Sequence, residues 1–488
     1  MNMPKYEFEV NIFLILSVCV IVLVIGLSIL QVVFAEAALF CLAVLTGIIA
    51  LAIVLTKAIW FLYLLALLIP FSQSIPIINL AARNLHIGFD TIVISIIMLG
   101  YITRILVGKK SIIVFENTLI CLLIWWFWNL CMLALTVSQF SGIQRADSVI
   151  VFLRWSQYIP IFFIVLNMVI TPTQVKTVVW ICTVTAVLIV FINMFEFFLI
   201  GVDYTKIRGT GLAVKSLFIE GAHTNYNVGA VYLAVVSLLI TPFMLTSHNW
   251  RKLLAIVLML FLLIGIWTTS SRSGLFACIS GFLFLGMFYF RRALFYSMIT
   301  LVPLGMAGLW FSRDSFFVRN VLKLRYIPQA LPMLLGADLQ SLGLPLSAGG
   351  GVQRLFLWGE TFRFFIQSPI WGHGFRATRW SMGPSAYFTA DNYYLEMTAD
   401  TGLIGLILFL LFVGMLYMSA IRLYKFAREN AFLRKFSIGY QAAFVGFMIT
   451  NLLAGMFMSQ KIWGIFILLS ALICNQLHAL RKVGEGKR

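Results

Sequence analysis

The sequence predicts an all-α fold: a polytopic integral membrane protein with about 12–14 transmembrane helices and a large outer (periplasmic) loop containing an amphipathic helix. Three observations carry this. Of the 488 residues, 62% are apolar and only 11% are charged, against roughly 25% charged in a soluble domain. About 14 apolar runs are present, most of them near the roughly 20 residues that a bilayer crossing needs. Lys and Arg also gather in alternate short connections.

In chain order the runs lie near residues 11–33, 35–56, 57–71, 87–107, 112–137, 147–169 and 176–201, then 225–246, 251–269, 273–290, 293–312, 392–423, 436–458 and 461–480. The first run is expected to stay as a membrane anchor, because it is long, lacks a small-x-small cleavage pattern and is followed at once by a second run. The formal charge of +18 would suggest nucleic acid in a soluble chain, but the apolar background excludes that partner. Cys19, Cys41, Cys121, Cys131, Cys182, Cys278 and Cys474 all fall inside apolar runs, with no CxxC pair, which argues against a disulfide frame or a zinc site.

An even number of crossings puts both termini on one side. That side collects Lys109, Lys110, Arg251, Lys252, Arg291, Arg292, the 425–435 cluster and the basic tail, so it is expected to be cytoplasmic. Three longer segments then face outward: 72–86, 202–224 and 313–391. The outward face keeps many arginines, among them Arg208, Arg272, Arg319, Arg325, Arg354, Arg363, Arg376 and Arg379, and few acids to pair with them. An external phosphate or pyrophosphate would supply the missing charge, since a guanidinium fork matches it bidentately.

Four outward motifs follow. Residues 208–225, Arg-Gly-Thr-Gly through His223, Thr224 and Asn225, form a Gly-rich turn leading into a helix, with Thr224 or Asn225 able to cap it. Ser271-Arg272-Ser273-Gly274 sits between two crossings with almost no loop, where an arginine is costly unless it faces a cavity or a partner. Residues 354–367 place Leu355, Phe356, Trp358, Phe362, Phe365 and Ile366 at helical spacing among Arg354, Glu360, Thr361 and Arg363. This predicts an amphipathic helix along the interface, closed by Ser368-Pro369 and the turn Gly372-His373-Gly374. Finally, Asp391-Asn392-Tyr393-Tyr394-Leu395 opens a crossing that continues through Thr401-Gly402 and Gly405. There Asp391 is either a helix N-cap or a general base at the membrane surface.

Taken together and in this order, the four motifs resemble the O-antigen ligase / O-antigen polymerase superfamily of bacterial cell-surface glycan assembly, over roughly residues 200–460. On this basis the chain divides into N-terminal transmembrane helices, 1–200, and an O-antigen ligase-like transmembrane domain, 201–488, that includes the outer loop 313–391. The resemblance implies a multi-pass enzyme of the bacterial cytoplasmic (inner) membrane with its active site facing the periplasm. It would need no cofactor and no metal, and would move glycan from an undecaprenyl-pyrophosphate-linked donor to a glycan or lipid-linked acceptor, with inversion at the sugar carbon. Membrane lipids, a flippase and a chain-length regulator are the further partners implied. By position, Arg208 and Arg272 would hold the pyrophosphate, and Arg354 would bind it or the acceptor. Asp391 would be the base, with Asn392 and Tyr394 orienting the site and Asn225 binding substrate. His373 and His223 are the alternatives for the base, since ligases of the family carry histidine at the position of Asp391 and the Asp form resembles the polymerases.

The competing class is a polysaccharide or lipid-carrier transporter or flippase. Such a protein is expected to carry charges or broken helices near the membrane midplane and often two similar halves. Here the acids within crossings are few, with Glu196 the clearest, and no internal repeat is evident.

Overall fold

A computed structural model of the chain describes residues 58–71, 74–80, 83–88, 94, 116–199, 226–246, 249–269, 271–291, 350–381 and 390–485. The first two expected crossings, the one at 293–312, most of the one at 87–107 and the outer-loop residues 313–349 lie outside the described residues.

The described chain is helical apart from one hairpin. Its elements are α1 (Ala58–Leu68), β1 (Ser74–Leu80), β2 (Arg83–Gly88), α2 (Asn117–Gln139), α3 (Gly142–Ser156), α4 (Tyr158–Asn167) and α5 (Pro172–Leu199). After them come α6 (Tyr226–Leu245), α7 (Asn249–Thr268), α8 (Arg272–Phe288), α9 (Gly350–Gln367), α10 (Ala377–Ser381), α11 (Tyr393–Phe426), α12 (Ala431–Thr450) and α13 (Gln460–Glu485). Six helical stretches are long and apolar enough to cross a membrane: 117–139, 144–167, 172–191, 227–245, 393–426 and 461–482. Helices α7 and α8 hold shorter apolar stretches. The protein is a multi-pass, essentially all-α membrane protein.

The hairpin departs from that reading. Strands β1 and β2 pair antiparallel, with Ser74 opposite Gly88 and Leu80 opposite Arg83, within a segment expected to be a plain outward loop. The β-branched residues Ile75, Ile77 and Ile78 favour extended backbone. Pro76 brings no N–H to the ladder, and the register shifts between Pro76 and Ile78.

Local sequence explains the helix boundaries. Helix α5 opens on a capping box: the Thr171 N–H donates to Gln174 Oε1 at 2.8 Å and the Gln174 N–H to Thr171 Oγ1 at 3.3 Å, with Pro172 at the first helical position. The expected crossing at 147–169 is interrupted at Gln157, between α3 and α4. Pro160 follows three residues on, and its ring and missing N–H disfavour a continuous ladder back to Ser156.

Lipid tails are as apolar as the side chains, so packing rather than water exclusion holds such helices together. Trp125 of α2 is fully buried and meets Trp155 of α3 edge-on at 4.8 Å, Phe412 of α11 nearly parallel at 5.6 Å and Trp463 of α13 edge-on at 6.2 Å. Each such pair contributes about 0.5–1.5 kcal/mol beyond area, and the cluster joins four helices. On the other side α6, α8 and α12 pack closely, because a side chain at Gly439 would fall on the Leu239 backbone and one at Gly446 on the Ala277 carbonyl.

Helix α11 contains the break that positions everything near it. Gly402 has φ 70° and ψ −177°, a conformation that only glycine adopts readily. Backbone groups freed at a break in a membrane helix need partners inside the protein, and the turn after α9 supplies them. The Leu403 N–H donates to Pro369 O at 2.9 Å and the Ile404 N–H to Ile370 O at 3.4 Å. The Asp400 carbonyl accepts from the N–H groups of His373 (3.1 Å) and Gly374 (2.9 Å), and the Thr401 carbonyl accepts from Trp128 Nε1 at 2.9 Å. A Cβ at Gly402 would collide with the Ile370 carbonyl oxygen, and one at Gly372 with the Asp400 carbonyl.

Gly402→Ala is therefore expected to cost at least about 3 kcal/mol, read as a lowered thermal midpoint of the purified protein in detergent. Gly414→Ala, twelve residues on in the same helix with open space around it, should leave the midpoint unchanged. Equal midpoints for the two variants would contradict the clasp of α11 by the turn after α9.

Candidate active site

One end of the bundle gathers the sequence-selected residues. The Ser271 hydroxyl donates to Asn227 Oδ1 at 2.7 Å, joining the starts of α6 and α8. The Thr450 hydroxyl at the end of α12 donates to the Ser273 carbonyl at 3.2 Å. Its neighbour's carbonyl, Asn451 O, accepts from the Tyr393 N–H at 2.9 Å. Arg272 and Asp391, far apart in sequence, thus sit at the same end of the molecule, linked through the end of α12.

Asp391 is presented by α9. Arg354 and Trp358 lie one turn apart on that helix and so point the same way. Arg354 reaches Asp391 Oδ2 with Nε at 3.2 Å and Nη2 at 3.1 Å, and Trp358 Nε1 donates to the Ala390 carbonyl at 2.7 Å. Asp391 itself takes a left-handed conformation, φ 52°, that Asp and Asn tolerate better than other residues with a side chain. Its side chain stays 44% exposed. The helix cap is the next residue: Asn392 Oδ1 accepts from the Leu395 N–H at 3.1 Å. Asn392 therefore performs the capping that Asp was considered for, and the Asp391 carboxylate is turned toward Arg354 instead.

Arg272 is the first residue of α8 and is half-buried. Ser271 caps that helix by accepting from the Gly274 N–H at 3.2 Å, and Gly274 lies so close to Ala230 that a Cβ would overlap it. The Ser-Arg-Ser-Gly junction is short because the cap and this close approach leave no room for a loop.

Behind Asp391 lies a buried charge network that sequence reasoning did not assemble. Asp400, buried two turns into α11, accepts from the Arg376 N–H at 3.0 Å, from the Thr378 N–H at 2.8 Å and from the Thr378 hydroxyl. The Arg376 side chain, also buried, pairs with Asp147 of α3 at 3.3 Å, and Trp380 Nε1 donates to Ser148 Oγ of the same helix at 3.1 Å. Burial pushes the Arg376 guanidinium down to about 10, with Arg379 adding to the shift and Asp147 opposing it, so it stays charged at neutral pH. Glu396, one turn into α11, holds a buried carboxylate oxygen, Oε1, with no hydrogen-bond partner among the described residues. The four-residue spacing of Glu396 and Asp400 on α11, just after Asp391, was the available signal for these acids.

The other selected residues are placed as follows. His373 Nε2 lies 2.7 Å from the Phe364 carbonyl, and its ring stacks on Phe364 at 3.8 Å, within the turn that clasps α11. The Tyr394 hydroxyl donates to the Met448 carbonyl at 2.8 Å and ties α11 to α12. Arg208, His223 and Asn225 lie outside the described residues. Arg376 was among the outward cations expected to await an external anion, and it has Asp147 as an internal partner. Arg363 likewise pairs with Glu360 at 2.8 Å, three residues earlier on the exposed side of α9. Among the described residues no three metal-ligating side chains converge.

Residues 254–410 match the family model described as O-antigen ligase. This region is similar to the O-antigen ligase family. The match covers about a third of the chain, from α7 into α11, and includes Arg272, Arg354, His373, Asp391, Asn392 and Tyr394. Comparison with curated proteins finds no match. Within the O-antigen ligase region, the turn 369–374 and the break at Gly402 are one structural unit, which gives the family-like Pro…Gly-x-Gly and Thr-Gly spacings a physical reason. The match implies a glycosyl-transferring activity in general terms.

The Arg376–Asp147 pair fastens this region to α3. Arg376→Gln leaves Asp147 and Asp400 without their cation and is expected to cost about 2–4 kcal/mol. Arg376→Gln combined with Asp147→Asn should recover most of that loss, because the uncompensated charge goes with it. Thermal unfolding of the single and double variants checks this, and an unchanged midpoint in Arg376→Gln would show that the pair is not stabilising.

Proposed function

We propose that the chain is a membrane glycosyltransferase that polymerises glycan at the outer face of the bacterial cytoplasmic membrane, drawing on a polyprenyl-pyrophosphate-linked donor. The observation that carries the reading is the presentation of Asp391. A half-exposed carboxylate is held at positive φ by two side chains of α9, at the same end of the bundle as Arg272. Holding a residue in a sparsely populated conformation with dedicated partners is the usual mark of a positioned reactive group.

In this reading the acceptor hydroxyl attacks the anomeric carbon of the donor as the bond from that carbon to the pyrophosphate oxygen breaks, inverting the configuration. Asp391 accepts the hydroxyl proton. Arg272 stabilises the negative charge that grows on the departing pyrophosphate, and Arg208 is assigned the same task from the segment before α6. Arg354 fixes the carboxylate through Oδ2, and Trp358 fixes the strand of backbone that carries it. Asn392 caps α11 directly after Asp391 and so sets where the carboxylate emerges.

The test is transfer in vitro by purified protein, supplied with a polyprenyl-pyrophosphate glycan in the presence of EDTA, with product length read on a gel. A ladder of lengthened lipid-linked chains is expected from wild type. Asp391→Ala should reduce the rate by about 10²–10⁴-fold and Arg272→Ala by about 10²–10³-fold. A single product step would replace polymerase by ligase. Movement of the intact carrier lipid across a liposome membrane without any transfer would replace the enzyme by a transporter.

A further inference from the structure

At the end of the bundle opposite Asp391 there is a second polar site. The start of α2, the last part of α11 and the last turns of α13 enclose a cavity of about 240 Å³, lined by Glu116, Thr118, Ser419, Arg422, His478 and Arg481. Arg481 pairs loosely with Glu116 at 3.9 Å. Arg422 has no ion pair among the described residues. Two guanidiniums against one carboxylate leave the site one positive charge in excess. The Glu116 side chain does not cap α2, so the first N–H groups of that 23-residue helix also face this end without a side-chain acceptor.

The surroundings say what kind of anion fits. Ile120 and Ile124, one turn apart on α2 and two and six residues beyond the lining residue Thr118, and Met418, next to the lining residue Ser419 on α11, are 42%, 49% and 43% exposed. They give the polar cavity an apolar flank, as an amphiphile with a charged head and an apolar tail requires. Lys425, Arg428, Arg434, Lys435 and Lys482 belong to the same end, the one that the bias of cations toward the inner side assigns to the cytoplasm. That leaflet face is rich in anionic lipid.

We propose that this cavity binds the phosphodiester headgroup of an anionic phospholipid between Arg422 and Arg481, with its acyl chains along Ile120, Ile124 and Met418. A phosphodiester carries one negative charge, matching the excess, and its oxygens accept from both guanidinium forks. A zwitterionic lipid brings a cation into a site that already holds two arginines and is disfavoured. The inference is independent of the transfer reaction proposed above, and its test does not measure transfer.

The test uses the full chain in detergent, stripped of lipid and offered equal amounts of phosphatidylglycerol and phosphatidylcholine, with retained lipid counted by native mass spectrometry. Wild type is expected to retain phosphatidylglycerol preferentially. Arg422→Gln should lower that retention at least about tenfold, and Ser419→Leu, which fills the cavity, should do the same. Lys425→Gln, a cation of the same end that does not line the cavity, should retain lipid as wild type does. Equal retention of the two lipids, or wild-type retention by both Arg422→Gln and Ser419→Leu, overturns the proposal. Displacement of phosphatidylglycerol by millimolar inorganic phosphate, with phosphate bound in its place, overturns the lipid in favour of a free-anion site. If Arg422→Gln does not fold, Ser419→Leu alone decides between these outcomes.

Discussion

A membrane helix that stops being helical inside the protein has to hand its backbone groups to something else, because lipid offers none. Helix α11 does so at Gly402, and the turn from Pro369 to Gly374 takes up the donors and acceptors that the break releases. This exchange fixes where the end of α9 lies. Once that end is fixed, the helix geometry carries Arg354 and Trp358 to Asp391 and Ala390. The clasp also brings the following residues, Phe375 to Trp380, onto α2 and α3: the Phe375 N–H reaches the Met132 carbonyl at 3.1 Å, and the Thr136 hydroxyl reaches the Phe375 carbonyl at 3.0 Å. The N-terminal crossings are therefore part of the frame of the site.

The two ends of the bundle use charge differently. At the Asp391 end, acids and arginines from distant parts of the chain are matched inside the protein: Asp391 with Arg354, Asp147 with Arg376, and Asp400 with the N–H groups of Arg376 and Thr378. Buried charges are tolerated only with such partners. The opposite end sets two guanidiniums against one carboxylate, among the described residues, at a cavity beside apolar surface. The first arrangement gives rigidity around a reactive carboxylate. The second is the pattern expected where the partner comes from outside the chain.

Counting cations from the sequence overstated the charge waiting for an external anion, because linear order does not reveal that Arg376 meets Asp147 or that Arg354 meets Asp391. Asp391 and Asn392 are adjacent and both good caps, so sequence left the cap open, and backbone geometry gave the task to Asn392. The hairpin at residues 74–88 was missed because its isoleucines read equally well as part of an apolar membrane protein. Only pairing between two segments distinguishes them.

What the sequence determined by itself is what depends on local composition and period: a multi-pass helical membrane protein, the positions of most described crossings, the amphipathic α9 and the resemblance to the O-antigen ligase family, three of whose four motifs fall within the matched residues 254–410. Apolar length and helical spacing are properties of consecutive residues, so a bilayer reads them directly. Only the tertiary structure decided which residues of those motifs touch one another. The break at Gly402, the partner of Arg354, the burial of Asp400 and the polar cavity at the far end each join residues distant in the chain. Such joining is set by how helices pack and where freed backbone groups find partners, and neither is written in the spacing of any one segment.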